Sequence, residues 1–283
     1  MMTEKAIGII GGSGVYNIEG IEIIKEHTVE TPFGTPSDKV IQAKLNGVEF
    51  YFLPRHGRTH GVLPHEVNYC ANIYALKSMG VEYLLSVSAV GSLKEECPPG
   101  SMVLPDQFID WTKGGRRRTF FGEGIVGHVS TAYPIDMKLQ KVIEKACAGA
   151  DVPHHVGGSY ICIEGPQFSS KAESHIYRGF GATVIGMTNV PEAYLAKEAG
   201  MAYATLAMVT DYDCWREEEH CSVEEILKVM KKNNESAQSI IKLALNDLNA
   251  NKFDINKENT FAIMTPEEAM TPEQIEICRV LKK

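Results

Sequence analysis

Paired cysteines are the first thing missing from the sequence. Its seven cysteines, at 70, 97, 147, 162, 214, 221 and 278, include no CxxC pair. That excludes a zinc ribbon and a disulfide framework, and points to reduced thiols in a cytoplasmic protein. Cys214, His220 and Cys221 lie close together but lack a second pair at ligand spacing. No apolar run approaches the ~20 residues that span a bilayer, and the stretch from Met1 to Lys5 reads as no signal peptide. Positive charge is in deficit: 28 basic residues face 36 acidic ones, for a net charge of −8. A nucleic-acid binder normally carries the opposite surplus to neutralise phosphates. No repeat, low-complexity tract or Pro/Gly/Ser-rich linker divides the chain, so residues 1–283 read as one domain with a helical part over about 222–283.

Short apolar runs alternate with helical patterns, which argues for an α/β fold. Strands are expected at Ala6–Ile10, Val48–Leu53, Tyr83–Val90, Val184–Met187 and Tyr203–Val209. Helices are expected over His65–Met79, closed by Gly80, and Glu192–Ala199, closed by Gly200. From Ser222 a capping box opens a long amphipathic helix whose stripe includes Val223, Leu227, Met230, Ala237 and Ile241. The segment 249–261 reads as loop, with a short helical tail near 266–281.

Function is written in the turns after the strands. These are Gly11-Gly12-Ser13-Gly14, Arg55-His56-Gly57-Arg58, Ser88-Ala89-Val90-Gly91, Met187-Thr188 and Thr210-Asp211-Tyr212-Asp213. Ligands of α/β sheets bind beyond the carboxyl ends of strands, so the five turns are candidates for one site. Glycine lets backbone N–H groups approach an oxyanion, and arginine offers a planar fork of donors. The first turn lacks the third glycine of a dinucleotide fingerprint, Asn17 standing in its place, and lacks a P-loop lysine. His56 and His60 have the i, i+4 spacing of a metal pair, but Gly57 and Gly61 break the helix this would need. Arg116-Arg117-Arg118, flanked by glycines, reads as a solvated loop, with a mobile lid over an anion as the other reading. Asp211 and Asp213 close an apolar strand, a costly place for carboxylates that bind nothing.

Together these motifs resemble the trimeric purine nucleoside phosphorylases, on the branch that acts on 5′-methylthioadenosine. The resemblance also rests on Thr31 to Ser37, Val67-Asn68-Tyr69, Glu164 to Ser170, Ala172-Glu173 and Asp211 to Trp215, in order from residue 8 to about 230. It implies a central mixed β-sheet flanked by helices, and phosphorolysis of methylthioadenosine to adenine and 5-methylthioribose 1-phosphate. It implies no metal and no organic cofactor, phosphate being a co-substrate. Carried over, Ser13, Arg55, His56, Ser88, Ala89 and Thr188 match phosphate ligands, and Met187 the residue packed on ribose. Phe168 matches a base-contacting aromatic and Ser169 a position tied to base specificity. Asp211 and Asp213 match the pair that reads purine N7 and the 6-amino group. Val223 and Leu227 match the apolar wall around the methylthio group. His128 matches a histidine lent by a neighbouring subunit of a trimer or dimer of trimers. Ser88-Ala89-Val90-Gly91 departs from the Thr-Ala-Cys-Gly of animal members but keeps the first hydroxyl.

On this reading Asp211 carries the proton donated toward N7, and Asp213, ionised, accepts from the 6-amino group. Replacing Arg55 should weaken phosphate binding and leave the fold intact. The rival enzymes are a phosphorylase for 6-oxopurines, which would want an amide at the base edge, and a nicotinamide dehydrogenase. A nucleoside-binding protein without catalysis is the rival of another class.

Overall fold

The computed structural model describes residues 5–12, 14, 18–216 and 223–283, with only the backbone at 223, 225 and 226. Ser13 and the Cys221 end of the cysteine–histidine cluster therefore lie outside the described residues. Eleven strands, among the described residues, form one mixed sheet. β1 (Ala6–Gly11), β4 (Val48–Pro54), β5 (Val81–Ser92), β10 (Val184–Gly186) and β11 (Ala202–Asp211) are the strands expected, each within a few residues of its predicted ends. Six further strands, β2 (Glu22–His27), β3 (Val40–Leu45), β6 (Met102–Leu104), β7 (Gln107–Trp111), β8 (His154–Val156) and β9 (Ser159–Ile163), complete it.

β5 organises the whole. Its first half pairs in parallel with β1 as far as Ser86, its other edge pairs in parallel with β11, and its last residues, Gly91 and Ser92, pair antiparallel with β10. Between the end of β1 and the start of β10, one edge of β5 from Val87 to Val90 is left without a strand. That gap is a topological switch point, the place where α/β sheets accept ligands. Backbone groups of Ser86 and Val90 face β11, where the Thr205 and Thr210 hydroxyls donate to their carbonyls. By alternation, Val87 and Ala89 turn their N–H and C=O groups to the open edge.

Helix α1 (Tyr69–Ser78) starts later than the predicted His65, because the Asn68 side chain caps it by accepting from the Ala71 N–H. α4 (Asn189–Glu198) follows β10 directly. α2 (Met137–Gly149) and α3 (Lys171–Gly179) carry side-chain N-caps at Asp136 and Ser170. The long helix α5 (Val223–Ala250) packs on β11 and α2, and α6 (Pro272–Leu281) packs on α1. Isoleucine, valine, tyrosine and phenylalanine side chains of β1, β3, β4, β5 and α1 form the main core, fully buried. No helix among the described residues is long and apolar enough to cross a membrane.

Candidate active site

A cavity of about 430 Å³ opens at the bare edge of β5. The glycine turn contributes Gly12 and Gly14, and the turn after β4 contributes Arg55, His56 and His60. β5 supplies Val87 through Gly91, and the strand end after β10 supplies Met187 and Thr188. Asp211 and Asp213 close it beyond β11, Phe168 and Ser169 line it before α3, and Met230, Asn234, Ala237, Gln238 and Ile241 face it from α5. All five turns expected to share a site therefore reach one cavity.

Arg55 is 2% exposed and spends most of its donors inside the protein. Its Nε and Nη2 bind both carboxylate oxygens of Glu192 at 2.6 and 2.9 Å. Nη2 also donates to Ser86 Oγ at 2.7 Å, and Nη1 to the Val87 carbonyl at 3.0 Å. Burial works against the guanidinium charge, but Glu192 more than restores it and holds the arginine above its ordinary pKa. Glu192, 0% exposed, takes further hydrogen bonds from Ser86 and Tyr203, and Asn189 bridges those two hydroxyls.

His56 Nδ1 lies 2.8 Å from the Val62 carbonyl. Burial first, then the Arg55 charge, pushes its pKa down to about 4. The His60 ring stands 4.8 Å from it, but no cluster of metal-binding side chains occurs among the described residues. Ser88 Oγ is 3.1 Å from Thr188 Oγ1 and 3.3 Å from the Tyr160 hydroxyl. A Cβ at Gly186 would collide with that hydroxyl, so glycine there admits the tyrosine to the site.

Three positions along β5 from Ser88, or roughly 10 Å at the rise of a strand, the chemistry changes sign. A side chain at Gly91 would press on Asp211 Oδ1. Asp211 takes the Asp213 N–H at 2.7 Å on Oδ1, and Thr210 Oγ1 lies 2.6 Å from its Oδ2. Asp213 adopts a left-handed backbone, φ 53°, in the tight turn that brings its N–H to Asp211. Burial, the largest effect, raises the Asp213 pKa, and the Asp211 charge adds to it, while Ser174, Ser169 and the Cys214 N–H oppose it. Burial thus favours a proton on Asp213, whereas the sequence points to Asp211 as the proton carrier. Trp215 anchors the turn by donating from Nε1 to the Ser92 carbonyl at 2.8 Å.

Some expected residues stand elsewhere. Leu227 is 59% exposed, one helical turn before Met230, and does not line the cavity. His128 is exposed and hydrogen-bonds through its backbone to the Ala262 carbonyl, away from the cavity. Phe168 stands at the rim, 71% exposed. The basic run lies in a loop, with Arg117 and Arg118 exposed as expected, but Arg116 is not solvated. Arg116 is 5% exposed and paired with Glu164 at 2.7 Å. Its Nη1 also donates to the carbonyls of Met187 and Val190 at 2.7 and 2.8 Å, so it fastens the Met187 turn to the start of α4. Arg117 lies over the Phe33 ring and Arg118 pairs with Asp110. Sequence reasoning missed Glu192, Tyr160 and Arg116. An acid among the apolar residues of Val190–Ala196 was the one available sign of the first.

The sequence model of the phosphorylase superfamily matches residues 6–246. The chain belongs to that superfamily, on its methylthioadenosine phosphorylase branch. This phosphorylase is 52% identical over 243 residues to the S-methyl-5'-thioadenosine phosphorylase of Geobacter sulfurreducens, covering 86% of this chain and 85% of the relative. It is 49% identical over 271 residues to that of Synechocystis, covering 94% and 83%. A crystal structure of a methylthioadenosine phosphorylase from an antarctic soil metagenomic library superposes with a TM-score of 0.93, at 46% identity over 99% of both chains. The Schistosoma mansoni methylthioadenosine phosphorylase in complex with adenine superposes at 0.83, with 36% identity over 88% of this chain and 93% of that one.

Proposed function

We propose that this phosphorylase catalyses the reversible phosphorolysis of 5′-methylthioadenosine to adenine and 5-methylthio-α-D-ribose 1-phosphate, a step of purine and methionine salvage. The observation that carries the reading is the single cavity with a carboxylate pair at one end and neutral hydroxyl, amide and imidazole groups at the other. Phosphate lies at Arg55, His56, Ser88, Ala89 and Thr188, and the family resemblance adds Ser13, outside the described residues, to that set. The Ala89 N–H, turned to the open edge of β5, is a donor at that spot. Ribose packs on Met187, and the base lies between Phe168, Ser169 and the aspartates.

Breaking the N-glycosidic bond builds positive charge on the sugar and negative charge on the purine. A phosphate held beneath C1′ stabilises the first, and a proton donated by Asp211 toward N7 neutralises the second. A carboxylate facing the 6-position accepts from the amino group of adenine and repels the oxygen of hypoxanthine. The reaction asks for no metal or organic cofactor. Met230 and Ile241 offer apolar surface from α5 for the methylthio group. A neighbouring copy lends His128, in a trimer or a dimer of trimers. Support for that contact is the segment paired with residues 126–128, where Phe261 and Met264 are 90% and 69% exposed. A cytoplasmic location fits the free thiols of the six described cysteines.

The test is to incubate the protein with methylthioadenosine, methylthioinosine, adenosine and inosine, with and without phosphate, and to identify the base released. Adenine from methylthioadenosine, only when phosphate is present, is the expected result. Hypoxanthine as the preferred product, or release without phosphate, would refute the reading.

A further inference from the structure

Two walls of the cavity run past the ends of the strands that carry them. One is Met187 to Val190, beyond β10, where Val190 is extended (φ −120°, ψ 127°) inside α4. The other is Glu164 to Ser169, beyond β9. β9 and β10 pair only as far as Cys162 and Gly186. Past that point the walls meet where Gly165, in a left-handed backbone of φ 70°, packs on Met187. A Cβ on Gly165 would stand 2.5 Å from the Met187 sulfur, so the fit allows no side chain.

Arg116 lies at this junction and spends its donors on both walls. Its Nη1 donates to the Met187 and Val190 carbonyls at 2.7 and 2.8 Å, with the Tyr69 hydroxyl 3.1 Å away. Nη2 donates to the Glu164 and Ile163 carbonyls at 2.9 and 3.3 Å, and Nε to the Glu164 carboxylate at 2.7 Å. The guanidinium has five N–H groups; three serve the Ile163–Glu164 side and two the Met187–Val190 side. The other oxygen of the Glu164 carboxylate accepts the Lys113 N–H at 2.7 Å, which ties the arginine's own loop to the same point. A guanidinium fork is planar and rigid, so sliding one wall against the other breaks several bonds at once. The group is buried, and no water takes over a lost bond there.

We propose that Arg116 is a positioning residue for the reaction, holding the ribose wall at Met187 in register with the base wall at Phe168 and Ser169. The inference rests on the placement of ribose and base proposed above. Arg116 does not line the cavity and touches no reacting atom. It acts through Met187, whose carbonyl it holds and whose side chain supports the sugar. Cleavage at C1′ needs sugar and purine at a fixed angle, and a displacement of about 1 Å costs up to about a hundred-fold in rate. Free adenine occupies the base wall alone and is indifferent to where the ribose wall stands.

The experiment compares wild type with Arg116→Lys, which keeps a charge beside Glu164 but cannot fork to both walls. Three quantities are read under folding conditions: kcat/KM for methylthioadenosine at saturating phosphate, the Kd of adenine, and the denaturant midpoint. The expected result is a kcat/KM lower by at least about tenfold with adenine affinity within about threefold of wild type. A residue that only supports the fold would lower the midpoint and leave both functional constants of the folded protein unchanged; that result would overturn the proposal. Adenine weakening in step with kcat/KM would overturn it too, because the base wall itself would have moved. If Arg116→Lys does not fold, Glu164→Gln takes its place. It sets an amide donor against either the Arg116 Nε–H or the Lys113 N–H, and a three- to tenfold loss of about the same selectivity is expected. An unchanged kcat/KM there contradicts the proposal. Wild type that releases no adenine from methylthioadenosine would refute the proposed function and this inference with it, a failure distinct from those of the variants.

Discussion

At the base end of the cavity Thr210, Asp211, Asp213 and the anchoring Trp215 lie within six positions on one turn, held by hydrogen bonds to one another and to β5. At the phosphate end Arg55, Ser88 and Thr188 come from three separate strand ends, and the carboxylate that fixes Arg55 is 137 positions away in the chain. A local turn concentrates its chemistry in one motif. The other end depends on a buried polar network that only the folded sheet assembles. Such a network stiffens the site when every member is satisfied, and becomes a liability when one is removed.

The sharpest way to break the comparison is to strand a charge in the distal network. Glu192→Ala leaves the Arg55 guanidinium buried without its counterion, and should destabilise the fold by about 3–5 kcal/mol, read from the denaturant midpoint. Arg55→Ala should do the same by stranding Glu192, against the sequence expectation of an intact fold. A midpoint within error of wild type for both variants would show the pair to be dispensable. At the other end, Asp211→Ala should leave that midpoint nearly unchanged and lower kcat by about 10²-fold, the usual worth of general acid catalysis. A loss confined to KM would reduce Asp211 to positioning the base.

The smallest effect concerns His56 and pH. Its pKa falls from 6.5 in the ordinary ring to about 4 in the fold. Across that window the folded chain binds fewer protons than the unfolded one, so stability declines as the pH drops from 6.5 toward about 4 and the loss is complete below it. His56→Gln should flatten that part of the stability curve. A curve that keeps its slope would place the acid sensitivity on another group.

The same contrast explains what could be read from the chain. Strands β1, β4, β5, β10 and β11 were legible because each is a buried apolar run ending in a glycine, histidine, hydroxyl or aspartate turn. β2 is exposed along nearly its whole length, and β6 and β8 are three residues each, so neither period nor length marks them. Asp211 and Asp213 stood out as acids closing an apolar strand. Arg116 was misread because its flanking glycines signal a loop, whereas its acceptors, Glu164 and the carbonyls of Met187 and Val190, lie 48 to 74 positions along the chain. Glu192 was passed over for the same reason. Patterns report neighbours in sequence, and buried ion pairs join neighbours in space.

The central claim is that the two ends act separately, the aspartates choosing the base and the distal network holding phosphate. Asp213→Asn tests it most directly, with methylthioadenosine, methylthioinosine and phosphate kinetics measured on one preparation. An amide at this edge can donate to a 6-oxygen, so the preference for methylthioadenosine should fall by at least about tenfold in kcat/KM while the KM for phosphate stays within about twofold. A phosphate KM that rises in step with an unchanged base preference would contradict the account.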